Sequence, residues 1–381
     1  MTCKFVTVHL LSALPMHNLN RDQNGLPKTA TDGAVQRARL SAQALKRAAR
    51  VAFREADPVG SVRTRQGATL VVEKATQYAA ENTLPFDPAL ARKAASKIVN
   101  GLAKADASES EKDNILFYSH GELDTLARAL VHAQGEGPEP TEDDFILDVV
   151  SPSLDVAAFG RMFAADTAKG THAAVSVSHA VTTHQMNLIT DYFTAVEEAF
   201  QDHGGAAHIA VAYYTSGVYY RTFTIDRDQL ARSWSSFGAD SARHQVAALV
   251  KALITALPTG RSTNTAPNTL PFLVVAEQQK TRVAYGFETP VQQDETGGYT
   301  GPSARALAAQ RALALEFDAA LFGDAAYLTS GADVDVRDAT RAGSLDDLVR
   351  FVVESVFSED TDGPGGTSPR GDGSDEPGQA A

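Results

Sequence analysis

The segment that most constrains the fold of this chain is residues 37–54, RARLSAQALKRAARVAFR. Its apolar residues Leu45, Ala49, Ala52 and Phe53 recur at helical spacing and form one stripe, and Ser41 precedes them as a suitable N-cap. The same segment holds six basic residues and no acidic residue. The pattern therefore predicts a helix that packs on one side and presents an unmixed basic face on the other.

Strand-like segments before and after this helix predict a sheet on which its apolar stripe can pack. Residues 4–14 are apolar and β-branched enough for a buried strand, and residues 15–33 read as an irregular loop. Strand patterns return at residues 173–183, 207–214 and 218–225, where Ser216-Gly217 predicts a hairpin turn, and again at residues 272–277. Helices are expected at residues 228–234, 241–257, 303–322 and 344–356.

Between these two halves, residues 57–152 turn rich in alanine and polar residues, with helical periodicity around residues 89–102 and 123–132. Strands separated by helices, with a large insertion after the first helix, predict an α/β (α+β) fold with a ferredoxin-like sheet, the scaffold of the RNA recognition motif. Residues 358–381 are rich in Gly, Pro, Ser and acids, and we expect them to be a disordered acidic tail.

The net charge of −13 argues against nucleic acid, because phosphate binding normally depends on a basic surface. The predicted tail accounts for part of this charge, with six acidic residues and one arginine, but the rest of the chain remains acidic. Any nucleic-acid groove must therefore be a local basic stripe. Gln43, Lys46, Arg47, Arg50 and Arg54 lie on one helical face and form such a stripe. A solvated face, or one paired with distant carboxylates, is the alternative.

Other classes of protein find little support in the sequence. The single cysteine, Cys3, allows no intrachain disulfide, which suits a reducing compartment such as the cytoplasm. The apolar run at residues 5–14 is too short to span a bilayer, so no membrane association is expected. No GxSxG, Walker A or GxGxxG pattern occurs, and the ten histidines show no metal-ligand spacing. We expect no metal and no cofactor.

Three ordered blocks of sequence carry a family resemblance. The first comprises LNRD at residues 19–22 and RxRxSxQxLKRAxR at residues 37–50. The second comprises GRM at residues 160–162, SHAxTTHQ at residues 178–185 and DxFTAV at residues 191–196, and the third is SGVxYR at residues 216–221. Together they resemble the CasC family of the RAMP superfamily, the repeated crRNA-binding backbone subunit of the type I-E CRISPR Cascade complex.

The resemblance implies a hand-like protein with an RNA recognition motif palm (residues 1–56 and 153–357), a helical finger insertion (residues 57–152) and a thumb (residues 184–214). It also implies residues that contact RNA in three places. The sugar-phosphate backbone would be held by Arg21, Arg37, Arg39, Ser41, Gln43, Lys46, Arg47 and Arg50. The RNA kink would be formed at Arg161 and Met162, and the thumb would wedge Phe193, Thr194 and Val196 between bases. Taken alone, Phe193 and Val196 fit core packing better.

The same resemblance implies a non-catalytic role in antiviral defence. Copies of the chain would polymerise head to tail along the crRNA and present it for pairing with target DNA. Further partners would be the large, small and crRNA-end-capping subunits of Cascade and a recruited nuclease-helicase that cuts the DNA. The alternative is a type III-like backbone subunit in which Asp32, in a comparable loop, cuts target RNA.

Overall fold

The computed structural model describes residues 3–57, 60–103, 115–135, 137–146, 150–163, 166–196 and 206–358. The strands among these residues are β1 (Phe5–His17), β2 (Thr29–Asp32), β3 (Val35–Leu40), β4 (Ser61–Thr64), β5 (Leu116–Ser119), β6 (Val175–Val177), β7 (Ala180–Thr182), β8 (Asn187–Val196), β9 (Ala206–Asp226), β10 (Leu273–Gln279), β11 (Phe322–Thr329) and β12 (Thr340–Arg341). The α-helices are α1 (Ala42–Arg54), α2 (Gly67–Glu81), α3 (Pro88–Ala103), α4 (His120–Ala133), α5 (Leu154–Phe159), α6 (Arg227–Ser233), α7 (Ala242–Thr255), α8 (Ser262–Thr265), α9 (Thr300–Asp318) and α10 (Leu345–Val356).

A ten-stranded sheet organises the chain, in the order β12-β11-β10-β1-β9-β7-β3-β2, with β6 and β8 also paired to β9. The first strand of the sequence lies near its centre and runs antiparallel to both β9 and β10. Because side chains alternate along a strand, β1 divides two cores: Val6, Val8 and Leu10 face one side, and Leu11 faces the other. The fold is the mixed α/β fold that the sequence predicts.

Helices α1, α7 and α10 cover the first face of the sheet. Ala49 and Phe53 of α1 pack there beside Trp234, Leu249 and Val352. Phe53 is buried completely enough for its side chain to contribute about 1.5–3 kcal/mol of hydrophobic free energy. The apolar stripe of α1 is thus held by the sheet, and its basic residues are left on the opposite side.

The second face carries α9 and a buried polar network. Glu277 accepts hydrogen bonds from Arg311 Nε at 2.9 Å and from the Tyr285 hydroxyl at 2.8 Å, and it lies 3.0 Å from His9 Nε2. Burial alone would raise the pKa of Glu277, but His9, Tyr285 and Arg311 outweigh it and lower the pKa to about 2. A charge without such partners would be costly at this depth.

The residues between α1 and α5 form a separate core. Helices α2, α3 and α4 pack around Val71, Leu126 and Phe145, and the two-stranded ribbon β4–β5 joins them. This ribbon meets the rest of the chain at Asp155 of α5, whose buried carboxylate accepts from the hydroxyl groups of Ser61 and Ser153. The boundaries predicted for a finger insertion at residues 57–152, and for the palm and thumb, stay predictions.

Several sequence expectations are wrong in detail. Residues 15–33 are not one irregular loop, because β1 continues to His17 and β2 forms a hairpin with β3. No turn occurs at Ser216-Gly217: β9 runs unbroken from Ala206 to Asp226. The pattern analysis also missed α2, the ribbon β4–β5, and β8, whose residues pair with the first half of β9. The predicted acidic tail, apart from Ser358, lies outside the described residues.

None of the helices in the described ranges has the length and apolar character that crossing a membrane requires.

Candidate nucleic-acid interface

The polar face of α1 is the most distinctive charged surface among the described residues. Gln43 and Arg47 are exposed, whereas Lys46 and Arg50 are half-buried. None of the basic residues of α1 has a carboxylate at ion-pair distance within the described part of the chain. In a protein with a net charge of −13, an unneutralised basic face is an arrangement that a bound anion would stabilise.

Arg50 lies at the centre of this face. Its guanidinium group lies over the Phe117 ring at 5.0 Å, and its Nε is buried without a hydrogen-bond partner. Burial lowers the pKa of Arg50 to about 10, and the like charges of Arg54, Arg63 and Arg47 add to this effect. Arg50 nevertheless remains a cation at neutral pH, so the repulsion between these groups persists unless an anion screens it.

Lys46 lies one turn earlier on the same face. Its Nζ is 6.0 Å from the centroid of the Phe159 ring, and burial lowers the pKa of the amine. The aromatic ring holds the ammonium group against α5 without neutralising it.

The N-terminus of α1 is capped from three directions. Ser41 Oγ accepts from the backbone N–H of Ala44 at 3.3 Å, which confirms the predicted N-cap. Asn20 Oδ1 accepts from Ser41 N at 2.8 Å, and His179 Nδ1 accepts from Ala42 N at 2.9 Å. The hydroxyl of Ser41 is therefore already used in holding the helix. The motifs LNRD and SHAxTTHQ meet here, although they lie far apart in sequence.

Arg39 and Arg21 flank this helix end. The pKa of His179 is lowered by partial burial and by the charges of Arg39 and Lys28, which places Arg39 beside the cap. Arg39 Nε is buried without a partner, as Arg50 Nε is. Arg21 is exposed and forms an isolated bridge with Pro27 in the loop before β2.

Arg37 is placed differently from the other predicted contacts. It is fully buried, and its guanidinium donates to the backbone oxygens of Asp32, Thr182, Phe287 and Glu288 at 2.7–3.2 Å. These bonds tie β3 to β7 and to the segment after β10. The assignment of Arg37 as an RNA contact stays a prediction, and its burial does not favour it.

Arg161 is buried, whereas the next residue, Met162, is exposed. The Arg161 side chain is 1% exposed, and its Nη1 lies 2.8 Å from both carboxylate oxygens of Glu122. It also donates to the carbonyl of Phe117 at 3.5 Å and to Thr171 Oγ1 at 3.3 Å. Met162 is 75% exposed. Arg161 thus anchors the loop, while Met162 projects into solvent, and the assignment of both as RNA contacts stays a prediction.

The hairpin of β8 and β9 carries the predicted wedge residues. Phe193 pairs with Ala210 and is 47% exposed, Tyr192 is 71% exposed, and Thr194 is exposed as well. Val196 lies at the end of β8, and its side chain is outside what the structure describes. Exposed aromatic residues on a paired ribbon are suited to stacking on bases.

The structure brings together α1, His179 and the Arg161–Met162 loop, and it adds two residues that sequence reasoning missed. Phe117 of β5 contacts Arg50 through its ring and Arg161 through its carbonyl, and Arg63 of β4 lies over the same ring. No sequence signal links residues that pair across such distances. The second half of β9 shares a core with α1 through Tyr219 and Leu45, whereas the exposed Phe193 lies on the paired half of the hairpin with β8.

Asp32, the candidate of the alternative hypothesis, is exposed at the end of β2, next to the turn that leads to β3. Among the described residues, no cluster of three or more His, Cys, Asp or Glu residues is arranged to hold a metal ion.

The fold and this surface define a mixed α/β protein with a large sheet, a helical segment that has its own core and two-stranded ribbon, and a localised basic helix face. The family model described as CT1975-like protein matches residues 6–350, so the chain belongs to the CT1975-like protein family. The structure is similar to a chain of a solved complex titled "CRISPR RNA-guided surveillance complex, pre-nicking", with a TM-score of 0.75 and 26% identity, covering 93% of this chain and 100% of that one.

A second solved structure, titled "CRISPR RNA-guided surveillance complex", shares the fold with a TM-score of 0.67 at 23% identity, covering 92% of this chain and 99% of that one. A comparison with curated proteins found no match.

Proposed function

We propose that this chain is a non-catalytic crRNA-binding backbone subunit of a CRISPR surveillance complex, and more specifically of a type I-E Cascade complex. The observation that carries the proposal is the basic face of α1, whose cations have no carboxylate partners among the described residues of an acidic protein. The family and the surveillance-complex chain with which this protein shares its fold support the same role.

The side chains on this face suit the recognition of RNA without regard to sequence. Lys46, Arg47 and Arg50 offer charge and N–H donors to phosphates, and Gln43 offers an uncharged amide to sugar hydroxyls. Contacts of this kind carry no base preference, as a protein that holds a guide requires, because base pairing reads the target.

The exposed apolar residues suit the presentation of RNA in kinked segments. Met162 and Phe193 are large and project into solvent, and stacking of a base on an aromatic side chain is worth about 1–3 kcal/mol whatever the base. We infer that they separate bases at intervals along the guide. In a head-to-tail polymer, the wedge and the groove come from different copies, joined by a heterologous interface.

The subtype and the partners rest on the sequence motifs. The blocks that resemble CasC include Ser41, His179 and Met162, and the first two meet at the N-terminus of α1 while Met162 projects from its own loop. On this basis the partners are crRNA, target DNA through pairing, further copies of the chain, the other Cascade subunits and a recruited nuclease-helicase.

The test is to reverse single charges on α1 and measure RNA binding over a series of salt concentrations. Lys46→Glu and Arg50→Glu should each weaken the binding of a labelled single-stranded RNA and reduce the slope of log K against log salt by about one. Arg305→Glu, an exposed residue on α9 at the other face of the sheet, is the matched control for net charge. Unchanged binding in both α1 variants would contradict the proposal.

One observation keeps the catalytic alternative open to experiment: Asp32 is exposed at the tip of a hairpin. The assembled protein–RNA complex should leave complementary RNA intact in the presence of a divalent metal. Periodic cuts that disappear in Asp32→Ala would show that the chain is an endoribonuclease of the type III kind.

A further inference from the structure

The basic surface does not end with α1, because it continues onto the helical insertion. We propose that Arg63 of β4 joins Arg50 and Arg54 of α1 in one phosphodiester-binding site at the boundary between the palm and the insertion. This inference rests on the proposed function and adds a residue and a region that the sequence motifs do not include.

The register of the ribbon places Arg63 at this site. Arg63 and Phe117 are direct partners in the antiparallel pair β4–β5, so their side chains lie on the same face of the ribbon. The guanidinium of Arg63 lies 5.9 Å from the Phe117 ring centroid, and that of Arg50 lies 5.0 Å from it. A single ring therefore gathers one arginine from the insertion and one from α1.

Stacking of this kind prepares the guanidinium groups for an anion. A guanidinium group that lies over an aromatic ring keeps its charge, and those of its N–H donors that face solvent can bind phosphate oxygens. Phe117 is almost completely buried, so packing around it restricts the motion of its ring. Less side-chain entropy is then lost when a ligand binds.

The electrostatics of the cluster point the same way. Arg54 and Arg63 both act on Arg50 as like charges, and neither has a carboxylate partner in the described part of the chain. The carboxylate that acts on Arg50 with opposite sign is Asp155, which is fully buried and committed to the hydroxyl groups of Ser61 and Ser153. The cluster therefore retains positive charge on its exposed side.

The size of the cationic surface fits a nucleic-acid backbone better than a free anion. Lys46 and Arg54 are eight residues apart on α1, which corresponds to about 12 Å along the helix axis. One phosphate cannot bridge that distance, whereas successive phosphates of a strand can. A strand that follows α1 from its N-terminus would reach Arg63 at the far end and would thereby tie the insertion to the sheet.

The experiment uses the full chain stripped of co-purified nucleic acid and a fluorescein-labelled single-stranded RNA of mixed sequence. Arg63→Ala should weaken binding at every salt concentration and reduce the salt slope by about one, whereas Arg63→Lys should keep the slope because it keeps the charge. Arg305→Ala serves as the control. Because Arg63 is exposed, the thermal unfolding of Arg63→Ala should match that of the unmodified chain.

The outcomes separate this inference from the proposed function. If Arg50→Glu lowers the slope and Arg63→Ala does not, the joint site is refuted and the RNA-binding role of α1 stands. If Arg305→Ala has the same effect as Arg63→Ala, the effect is one of net charge and the joint site is again refuted. If neither Arg50→Glu nor Lys46→Glu changes binding, the proposed function fails together with this inference.

Discussion

The ion pair between Arg161 and Glu122 gives the sharpest test of how the exposed Met162 is held. The change is Arg161→Ala, alone and combined with Glu122→Gln. The sequence motif suggests that Arg161 contacts RNA, whereas the structure gives its guanidinium a partner inside the protein at 2.8 Å. The two interpretations predict different losses, one in stability and the other in binding.

The size of the effect follows from burial. The side chains of Arg161 and Glu122 are 1% and 8% exposed, so removing the guanidinium leaves a carboxylate in a nearly dry site. The backbone N–H of Ser119, 2.8 Å from Glu122 Oε2, is then its remaining hydrogen-bond donor among the described residues. Breaking a buried pair in this way costs about 3–5 kcal/mol.

The double variant should recover part of that loss. Glu122→Gln removes the unpaired charge but keeps a side-chain oxygen for the capping contact with Ser119. We expect the two substitutions together to cost about 2 kcal/mol less than the sum of the single costs. Urea denaturation followed by circular dichroism measures these values, because Trp234 fluorescence reports the core of the sheet and not that of the insertion.

The binding measurement completes the test. If Arg161 acts by positioning Met162, the folded double variant should bind RNA with the same salt slope as the unmodified chain. A loss of stability below about 1 kcal/mol in Arg161→Ala, together with a slope reduced by about one, would refute the structural role and make Arg161 a direct phosphate contact.

Three further predictions concern stability. Burial lowers the pKa of His17 to about 4, so between about pH 6.5 and 4 the unfolded chain binds a proton that the folded chain does not. As the pH falls through this window, the free energy of unfolding should decrease by up to about 3 kcal/mol. His17→Asn should flatten this dependence of stability on pH. Gly33→Ala should cost more than the roughly 1–2 kcal/mol of a left-handed residue, because a Cβ there would overlap the carbonyl oxygen of Glu288. Gly25→Ala, where a Cβ would meet nothing within 4 Å, should cost the conformational share alone, and thermal unfolding measures both. Ser41→Ala should cost about 1 kcal/mol and Ser41→Asn little, since either Ser or Asn caps a helix, and chemical denaturation would distinguish them.

Local pattern was sufficient for the elements that are amphipathic and capped within their own sequence. Helix α1 begins after Ser41 as the N-cap and apolar spacing predict, and α10 likewise follows Ser344, whose side chain accepts from Asp347 N. In both helices the serine cap contacts a backbone N–H three residues ahead. Such contacts are visible in the sequence because they need no knowledge of what lies across the core.

The features that pattern analysis predicted wrongly depend on contacts between residues that are far apart in sequence. Ser216-Gly217 has the composition of a hairpin turn, yet Gly217 lies in an extended strand opposite Leu14, and a Cβ there would lie 2.7 Å from the His184 ring. The glycine provides room for a close approach and makes no turn. In the same way, the basic face of α1 was predictable, but Phe117, on which Arg50 lies, is far away in sequence.

The unbroken β9 has a mechanical consequence for the proposed polymer. Its 21 residues extend about 70 Å, pairing with β1 over one half and with β8 over the other. Within the described residues no loop separates the half of β9 that pairs with β1 from the half that pairs with β8 and its exposed Tyr192 and Phe193. In the proposed polymer, the distance between the RNA-binding surface of the sheet and the aromatic residues that separate bases would then be set by the length of β9. That distance would be the same for every guide sequence.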